Sequence, residues 1–311
     1  MKVAFLFPGQ GSQHPGMLHA LPAHPQVAAT LEEASDVLAR DVLRLDEEGP
    51  LASTIATQIA LYVAGVATAR GLMAEGAAPD AVAGLSVGAY AAAAVSGALP
   101  FRDGLLLVRT RAELTAARFP SGYGLAAILG LDERQVSGLV AACTTPDQPA
   151  FVANLNAPRQ IVVAGALGAL ERVIALARAN GSRKAELLAV RIPSHCALFA
   201  EVAGQLTHAM AHLEPRAPGM VYITNRGGRP TRSFDRLRED IATNIAHPVR
   251  WHDATQVLVE MGVGLFVEMN PGHVLTSLAA EAFPEVRAVA AEGSASGYLL
   301  KLIREANESP D

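Results

Sequence analysis

Two cysteines, Cys143 and Cys196, are all that the 311 residues contain. That is too few for a disulfide framework or a thiolate metal cage. Charge is also scarce, at 18% of residues, and 25 basic side chains against 30 acidic ones leave a formal net charge of -5. The basic face that nucleic-acid binding demands is therefore not expected. Only Lys2, Lys184 and Lys301 are lysines, so the positive charge is nearly all arginine. Beside so much alanine, this reads as compositional bias. No Gly-Lys-Ser/Thr occurs, which removes a P-loop, and no internal repeat or low-complexity tract is present. Long hydrophobic runs are few. Val3–Phe7 is too short for a signal-peptide core. Ala81–Phe101 runs 21 residues without a charge and holds Gly84-x-x-x-Gly88, the pattern of a membrane helix with a dimerisation face. Its alanine content, its polar Ser86 and Ser96, and its flanks Asp80 and Arg102 argue against insertion. A cytoplasmic chain without a membrane segment is the expectation.

What is present is an apolar half, 50% of residues, over a length that allows one large domain or two ordinary ones. Val3–Phe7 stops at Pro8-Gly9 and suits a buried strand. Helical spacing runs over Pro25–Val42 and Ile55–Met73. Asp80–Gly84 reads as a second strand, and Val87–Ala98 as a helix that Pro100 ends. A further helix, Asp103–Ala117, stops at Phe119-Pro120. Strands alternating with helices imply a mostly parallel α/β sheet. The rhythm then changes. Leu125–Gly130 (strand), Asp132–Cys143 (helix), Phe151–Asn154 and Gln160–Gly165 (strands), Gly168–Asn180 (helix, closed by Gly181) and Ala185–Val190 (strand) spell β-α-β-β-α-β, the split βαβ pattern of ferredoxin-like domains. The expected organisation is a large α/β domain, 1–122 and 191–311, with a small domain, 123–190, inserted into it. Alternation resumes over Val221–Thr224, Ile241–Asn244, Thr255–Met261 and Leu265–Met269.

Gly84-Leu85-Ser86-Val87-Gly88 lies between a predicted strand and a predicted helix. A nucleophile elbow needs that context, with small residues around a tight turn that exposes the serine at a helix N-terminus. The Val87 N–H is then placed to hold an oxyanion. The pattern alone arises by chance in roughly one chain in ten of this length, so the placement carries the reading. A serine needs a base. His195, in Ile192-Pro193-Ser194-His195-Cys196, sits where the chain would re-enter the large domain and wall an interdomain cleft. Position alone does not single it out among nine histidines. Cys196 reads as a small buried hydrophobe. Phe7-Pro8-Gly9-Gln10-Gly11-Ser12-Gln13 fits no dinucleotide fingerprint, because position 14 is His. Such a Gly-rich turn can still lend a backbone N–H to a site. Arg111, in an otherwise apolar helix, either pairs with Glu113 or Asp103 or grips a substrate carboxylate.

Taken together, these segments resemble the malonyl-CoA:acyl-carrier-protein transacylase family over almost the whole chain. The resemblance runs through Phe7–Gln13, Gly84–Gly88, Arg111, Asn154-x-Asn156-x-Pro158, Pro193–Leu198, His247-Pro248-Val249-Arg250-Trp251 and Glu268-Met269-Asn270-Pro271-Gly272. It implies an α/β-hydrolase-like domain with a ferredoxin-like insertion. It implies that Ser86 is acylated, that His195 is its base, and that the Gln10 and Val87 N–H groups form the oxyanion hole. Arg111 would hold the malonyl carboxylate, and Asn156 would lie near the mouth of the site. The family usually has His and Glu where this chain has Leu85 and Ala89. It also commonly has a glutamine shortly before its Pro-Val pair, to orient the histidine, and here the corresponding residue is Asn244. The Leu-Ser-Val-Gly-Ala variant looks most like the malonyl-transfer subunit of biotin-independent malonate decarboxylase.

The implied reaction is ping-pong transfer of malonyl from malonyl-CoA, through Ser86, to the phosphopantetheine-type thiol of an acyl carrier protein. It needs no metal and no tightly bound cofactor. Other malonate decarboxylase subunits would be further partners. Fatty-acid or polyketide synthesis is the alternative setting. A serine esterase or thioesterase would want a carboxylate behind the imidazole, for which Asp103, Asp132 and Glu171 are candidates. Gly228–Arg238 carries Arg229, Arg232, Arg236 and Arg238 against Asp235, either a solvated segment or a docking face for an acidic carrier.

Overall fold

In strand β1 (Lys2–Phe7) the side chains alternate between two cores, because successive residues of a strand point to opposite faces. Val3, Phe5 and Phe7 enter one core with the helices Thr54–Ala74 and Gly88–Val95. Ala4 and Leu6 enter the other with the helices Trp251–Glu260 and Val274–Ala282. Burial on both faces explains why this strand is a continuous apolar run. Each fully buried phenylalanine contributes roughly 1.5–3 kcal/mol. The computed structural model describes residues 1–119 and 121–308.

The remaining strands are β2 (Ala81–Gly84), β3 (Tyr123–Leu129), β4 (Ala150–Ala157), β5 (Gln160–Ala166), β6 (Lys184–Leu187), β7 (Val221–Ile223), β8 (Pro230–Thr231), β9 (Val263–Glu268) and β10 (Arg287–Ala290). They form two sheets within a mixed α/β fold. The six-stranded sheet has the order β10-β9-β1-β2-β7-β8 and is parallel except for the short β7–β8 pair. The four-stranded antiparallel sheet has the order β4-β5-β3-β6. One of its faces packs on the helices Glu133–Cys143 and Leu167–Ala179. Its other face meets Cys196 through Leu125, Ala153, Val162 and Ala164. Asp132 starts the first of these helices with a capping box to Gln135.

The uncharged stretch Ala81–Phe101 is, as read from the sequence, a strand (β2), the elbow and a helix, here Gly88–Val95, followed by the start of another helix. Several expectations shift. The long apolar helix is instead Thr54–Ala74, and 89% of its most apolar window lies inside the protein. A helix that is apolar all round belongs in a core. The helix Phe101–Arg118 ends before Phe119; Pro120, read as part of that stop, lies outside the described residues. The last strand of the small sheet ends at Leu187, which frees Leu188–Val190 to line the cleft described below. Ile241–Asn244 ends one helix and begins a 3-10 turn. Sequence periodicity gave no sign of the edge strands β8 and β10, which are too short or too half-buried to alternate clearly.

Around the turn after β2, glycine is a matter of clearance. A Cβ on Gly84 would sit 2.1 Å from the Gly88 carbonyl, and one on Gly88 would sit 2.2 Å from the Phe7 oxygen. The strand and the elbow helix touch backbone to backbone there. Gly88→Ala is expected to destabilise by about 3 kcal/mol or more. By contrast, Gly138→Ala, on a helix with open space at its Cβ, should stabilise by about 0.5–1 kcal/mol. Urea unfolding of the two variants checks the contrast, which fails if both move alike.

Candidate active site

The elbow holds Ser86 with φ +58°, in the left-handed region that costs a side-chain-bearing residue roughly 1–2 kcal/mol. Hydrogen bonds maintain it. Leu85 N–H donates to the Phe7 carbonyl at 2.9 Å, and Gly88 N–H to the Leu85 carbonyl at 3.0 Å. Ser86 N–H donates to Asn225 Oδ1 at 2.8 Å. The hydroxyl is thereby presented at the N-terminus of the helix Gly88–Val95.

His195 reaches it from the other side of the cleft, also with positive φ, +66°. Its N–H donates to the Ile245 carbonyl at 2.7 Å. Its Nδ1 lies 2.8 Å from the Asn244 carbonyl oxygen, and its Nε2 lies 2.6 Å from Ser86 Oγ. A carbonyl can only accept, so Nδ1 carries the proton and Nε2 faces the serine hydroxyl as an acceptor. One 3-10 turn, Asn244–Ala246, thus fixes both the backbone and the ring of the histidine. Asn244 does enter the site, but through its main chain. Its fully buried side-chain amide has no hydrogen-bond partner, so the shorter amide takes no part in orienting the imidazole. None of Asp103, Asp132 or Glu171 stands behind the ring.

Arg111 does not pair with Glu113 or Asp103; Arg109 is the residue beside Glu113. Arg111 is 2% exposed, and its guanidinium donates to Gln58 Oε1 and, at 3.1 Å, to Ser86 Oγ. Gln58 is held in turn by Thr54 (3.0 Å) and Thr115 (3.4 Å). Among the described residues no carboxylate pairs with Arg111, and its Nε is buried without a partner. A buried cation without a counter-charge is costly, and the open cleft beside it can receive an anion. Burial, with Arg111 adding to it, pushes the His195 imidazole down to about 3. The ring is therefore neutral across the physiological range and ready to accept a proton.

The cleft has a volume of about 350 Å³, within the range of small-molecule sites. Gly9–Gln13, Ser86 and Arg111 line one side, and Asn154, Asn156 and Leu188–Val190 another. Asn156 thus lies on the wall, with its Oδ1 unpartnered. The Gln10 side-chain oxygen accepts from Thr54 Oγ1 at 3.1 Å. Among the described residues neither the Gln10 nor the Val87 N–H is taken up within the protein. Cys196 is buried, donates to the Pro193 carbonyl, and has its thiol pushed up to about 11 by burial. No group of three or more His, Cys, Asp or Glu is placed to hold a metal ion among the described residues.

Sequence reasoning passed over Gln58, Asn225 and Asp240. Gln58 is the lone amide in an apolar helix. Asn225 follows the end of a parallel strand, where α/β sites collect. Asp240 interrupts the apolar face around Leu237 and Ile241.

Comparison with known proteins places this geometry. Residues 4–308 match the acyl transferase domain family. The malonyl CoA-acyl carrier protein transacylase of Haemophilus influenzae is 34% identical over 304 residues, covering 95% of this chain and 96% of that one. The structure of the Coxiella burnetii malonyl CoA-acyl carrier protein transacylase superposes with a TM-score of 0.93 at 31% identity, over 98% of both chains. A malonyl-transacylase solved in complex with its type II PKS acyl-carrier protein gives 0.91 at 35% identity, over 98% and 99%. The chain belongs to the acyl transferase domain family and, within it, to the malonyl CoA-acyl carrier protein transacylases.

The depressed imidazole has a measurable consequence. Labelling of Ser86 by a neutral fluorophosphonate should lose rate on the acid side only well below pH 6.5. Arg111→Gln removes one of the two influences that disfavour the imidazolium, so its acid limb should move upward. Burial remains, so the limb should stay below 6.5. Equal limbs in both proteins would mean that Arg111 does not act on His195 electrostatically.

Proposed function

We propose that this enzyme transfers malonyl from malonyl-CoA to the thiol of an acyl carrier protein through a malonyl-Ser86 ester. The single observation that carries the reading is the buried, unpaired Arg111 guanidinium 3.1 Å from Ser86 Oγ. In malonyl one methylene separates the free carboxylate from the thioester carbonyl. A cation touching the nucleophile suits that short spacer.

His195 takes the Ser86 proton as the oxygen attacks the thioester carbonyl. The Gln10 and Val87 N–H groups receive the oxyanion, and His195 returns the proton to the departing CoA thiolate. The carrier thiol then attacks the malonyl ester, with His195 again acting as base, and Ser86 is released. No step needs a metal or resident cofactor. Residues 123–190, as an inserted domain, supply the wall that carries Asn156.

The relatives' names favour fatty-acid or polyketide synthesis over malonate decarboxylation as the setting. Leu85 and Ala89, which suggested the latter, are accounted for by packing. Leu85 fills the space where a Cβ on Gly9 would stand at 2.8 Å, and Ala89 is wholly buried. The esterase reading is weakened, because a carbonyl stands where its carboxylate would be. For carrier docking, Arg232 and Arg236 offer charge on an exposed segment, whereas Arg238 is already paired with Asp235.

Intact mass after brief exposure to malonyl-CoA should show one malonyl adduct, absent in Ser86→Ala and discharged by a carrier thiol. Arg111→Ala should slow malonyl loading on the order of a hundredfold or more and acetyl loading far less. Equal losses, or free malonate in place of transfer, would overturn the reading. Charge reversal at Arg232 and Arg236 should raise KM for the carrier and leave loading from malonyl-CoA unchanged. An unaltered carrier KM would remove that face from docking.

A further inference from the structure

Beneath the elbow lies a second polar cluster that the transfer chemistry does not use. Asn225 is 3% exposed and spends every polar atom it has. Its side chain accepts from Ser86 N–H at 2.8 Å and donates through Nδ2 to the Gly84 carbonyl at 2.8 Å. One amide group therefore clamps the residues on either side of Leu85. Its own N–H donates to Asp240 Oδ2 at 3.0 Å, and its carbonyl accepts from Arg250 N–H at 2.9 Å.

Asp240, 2% exposed, anchors the arrangement from the helix Phe234–Thr243. It accepts from the Tyr222 hydroxyl at 2.8 Å and from Arg226 N–H at 3.0 Å as well as from Asn225. Three donors converge on one buried carboxylate, and no cation is paired with it among the described residues. Such a network is satisfied only in one arrangement, so it specifies a single geometry.

We infer that Asn225, anchored by Asp240, is a positioning residue that holds Ser86 in its left-handed conformation with Oγ aimed at His195. The elbow's other bonds use the Leu85 N–H and carbonyl, one residue before the serine, and the Ser86 carbonyl, which accepts from Ala89 N–H at 3.1 Å on the far side of the residue from φ. Only the Asn225 amide grips the Ser86 N–H itself. Without that grip the strained φ loses its one hold on the Ser86 N–H, and a displacement of about 1 Å at the nucleophile costs on the order of a hundredfold in rate.

The inference rests on Ser86 as the nucleophile, so its test uses fluorophosphonate labelling, which reports serine reactivity whether or not malonyl is transferred. Asn225→Asp is the informative variant. When ionised, the carboxylate still accepts from Ser86 N–H but sets a second oxygen against the Gly84 carbonyl. When protonated, it donates there and restores both bonds. The groups around it are Asp240, Tyr222 and the Ser86–His195 pair, with Arg226 contributing its backbone. Asp240 and burial both favour the protonated form at position 225.

Labelling of Asn225→Asp should therefore match wild type at about pH 5 and fall on the order of tenfold to a hundredfold by about pH 9. Over that range the wild-type rate should not fall. Asn225→Ala should be slow at every pH, and Asp240→Asn should show an intermediate defect. In malonyl loading the loss should appear in kcat with KM unchanged. An Asn225→Asp profile parallel to wild type would overturn the inference. So would a uniform loss in all three variants that tracks their melting temperatures. If wild type labels normally but forms no malonyl adduct, the malonyl reading falls and this one stands.

Discussion

Ser86 and His195 are 109 residues apart in sequence, and they meet at 2.6 Å with both backbones in the left-handed region. Neither conformation is stable locally, so each must be imposed by what surrounds it. For Ser86 the constraint comes from β1, against which Gly88 packs with no space for a Cβ, and from the Asn225 amide. For His195 it comes from the turn Asn244–Ala246. That turn is tied onward, because Val249 N–H donates to the Ala153 carbonyl and Leu155 N–H to the Val249 carbonyl. Arg250 adds an ion pair to Glu133 across the same junction. The edge of the small sheet is thereby fastened to the segment that fixes the histidine. The second sheet is therefore part of the catalytic geometry as well as a wall of the cleft.

How much of this the sequence disclosed follows from what each feature depends on. The elbow was legible because its requirements are local: a strand, small residues at fixed spacing, a helix. The β-α-β-β-α-β order was legible because hydrophobic periodicity changes where the antiparallel strands begin. His195 was a candidate from its place after the last strand of the small domain, but only the family resemblance singled it out among nine histidines, since its partner lies across a tertiary junction. The Asn244 carbonyl could not be read at all, because every residue offers one. Arg111 was ambiguous for a similar reason. Asp103 and Glu113 lie near it in sequence as candidate partners, whereas the fold turns it inward to Gln58 and gives the surface pairing to Arg109. The Ala81–Phe101 stretch has the length of one apolar span, yet its glycine turn and polar Ser86 already divide it into the core strand and core helix that the structure shows.

Arg111 imposes two opposed effects on the same pair of side chains. Its charge beside Ser86 Oγ favours an oxygen that gives up its proton. The same charge, added to burial, disfavours the imidazolium that must form when His195 receives that proton. Burial is the larger of the two causes that hold the imidazole down and Arg111 adds to it, so the histidine is a weak base. A carboxylate seated on Arg111 cancels that cation at the distance that matters and relieves the penalty on the imidazolium. A substrate bearing a free carboxylate would therefore strengthen the base that activates Ser86 against it, while a neutral acyl group would leave that base weak. Selection for a diacid monothioester would then have one origin: a buried cation that the substrate's own charge neutralises.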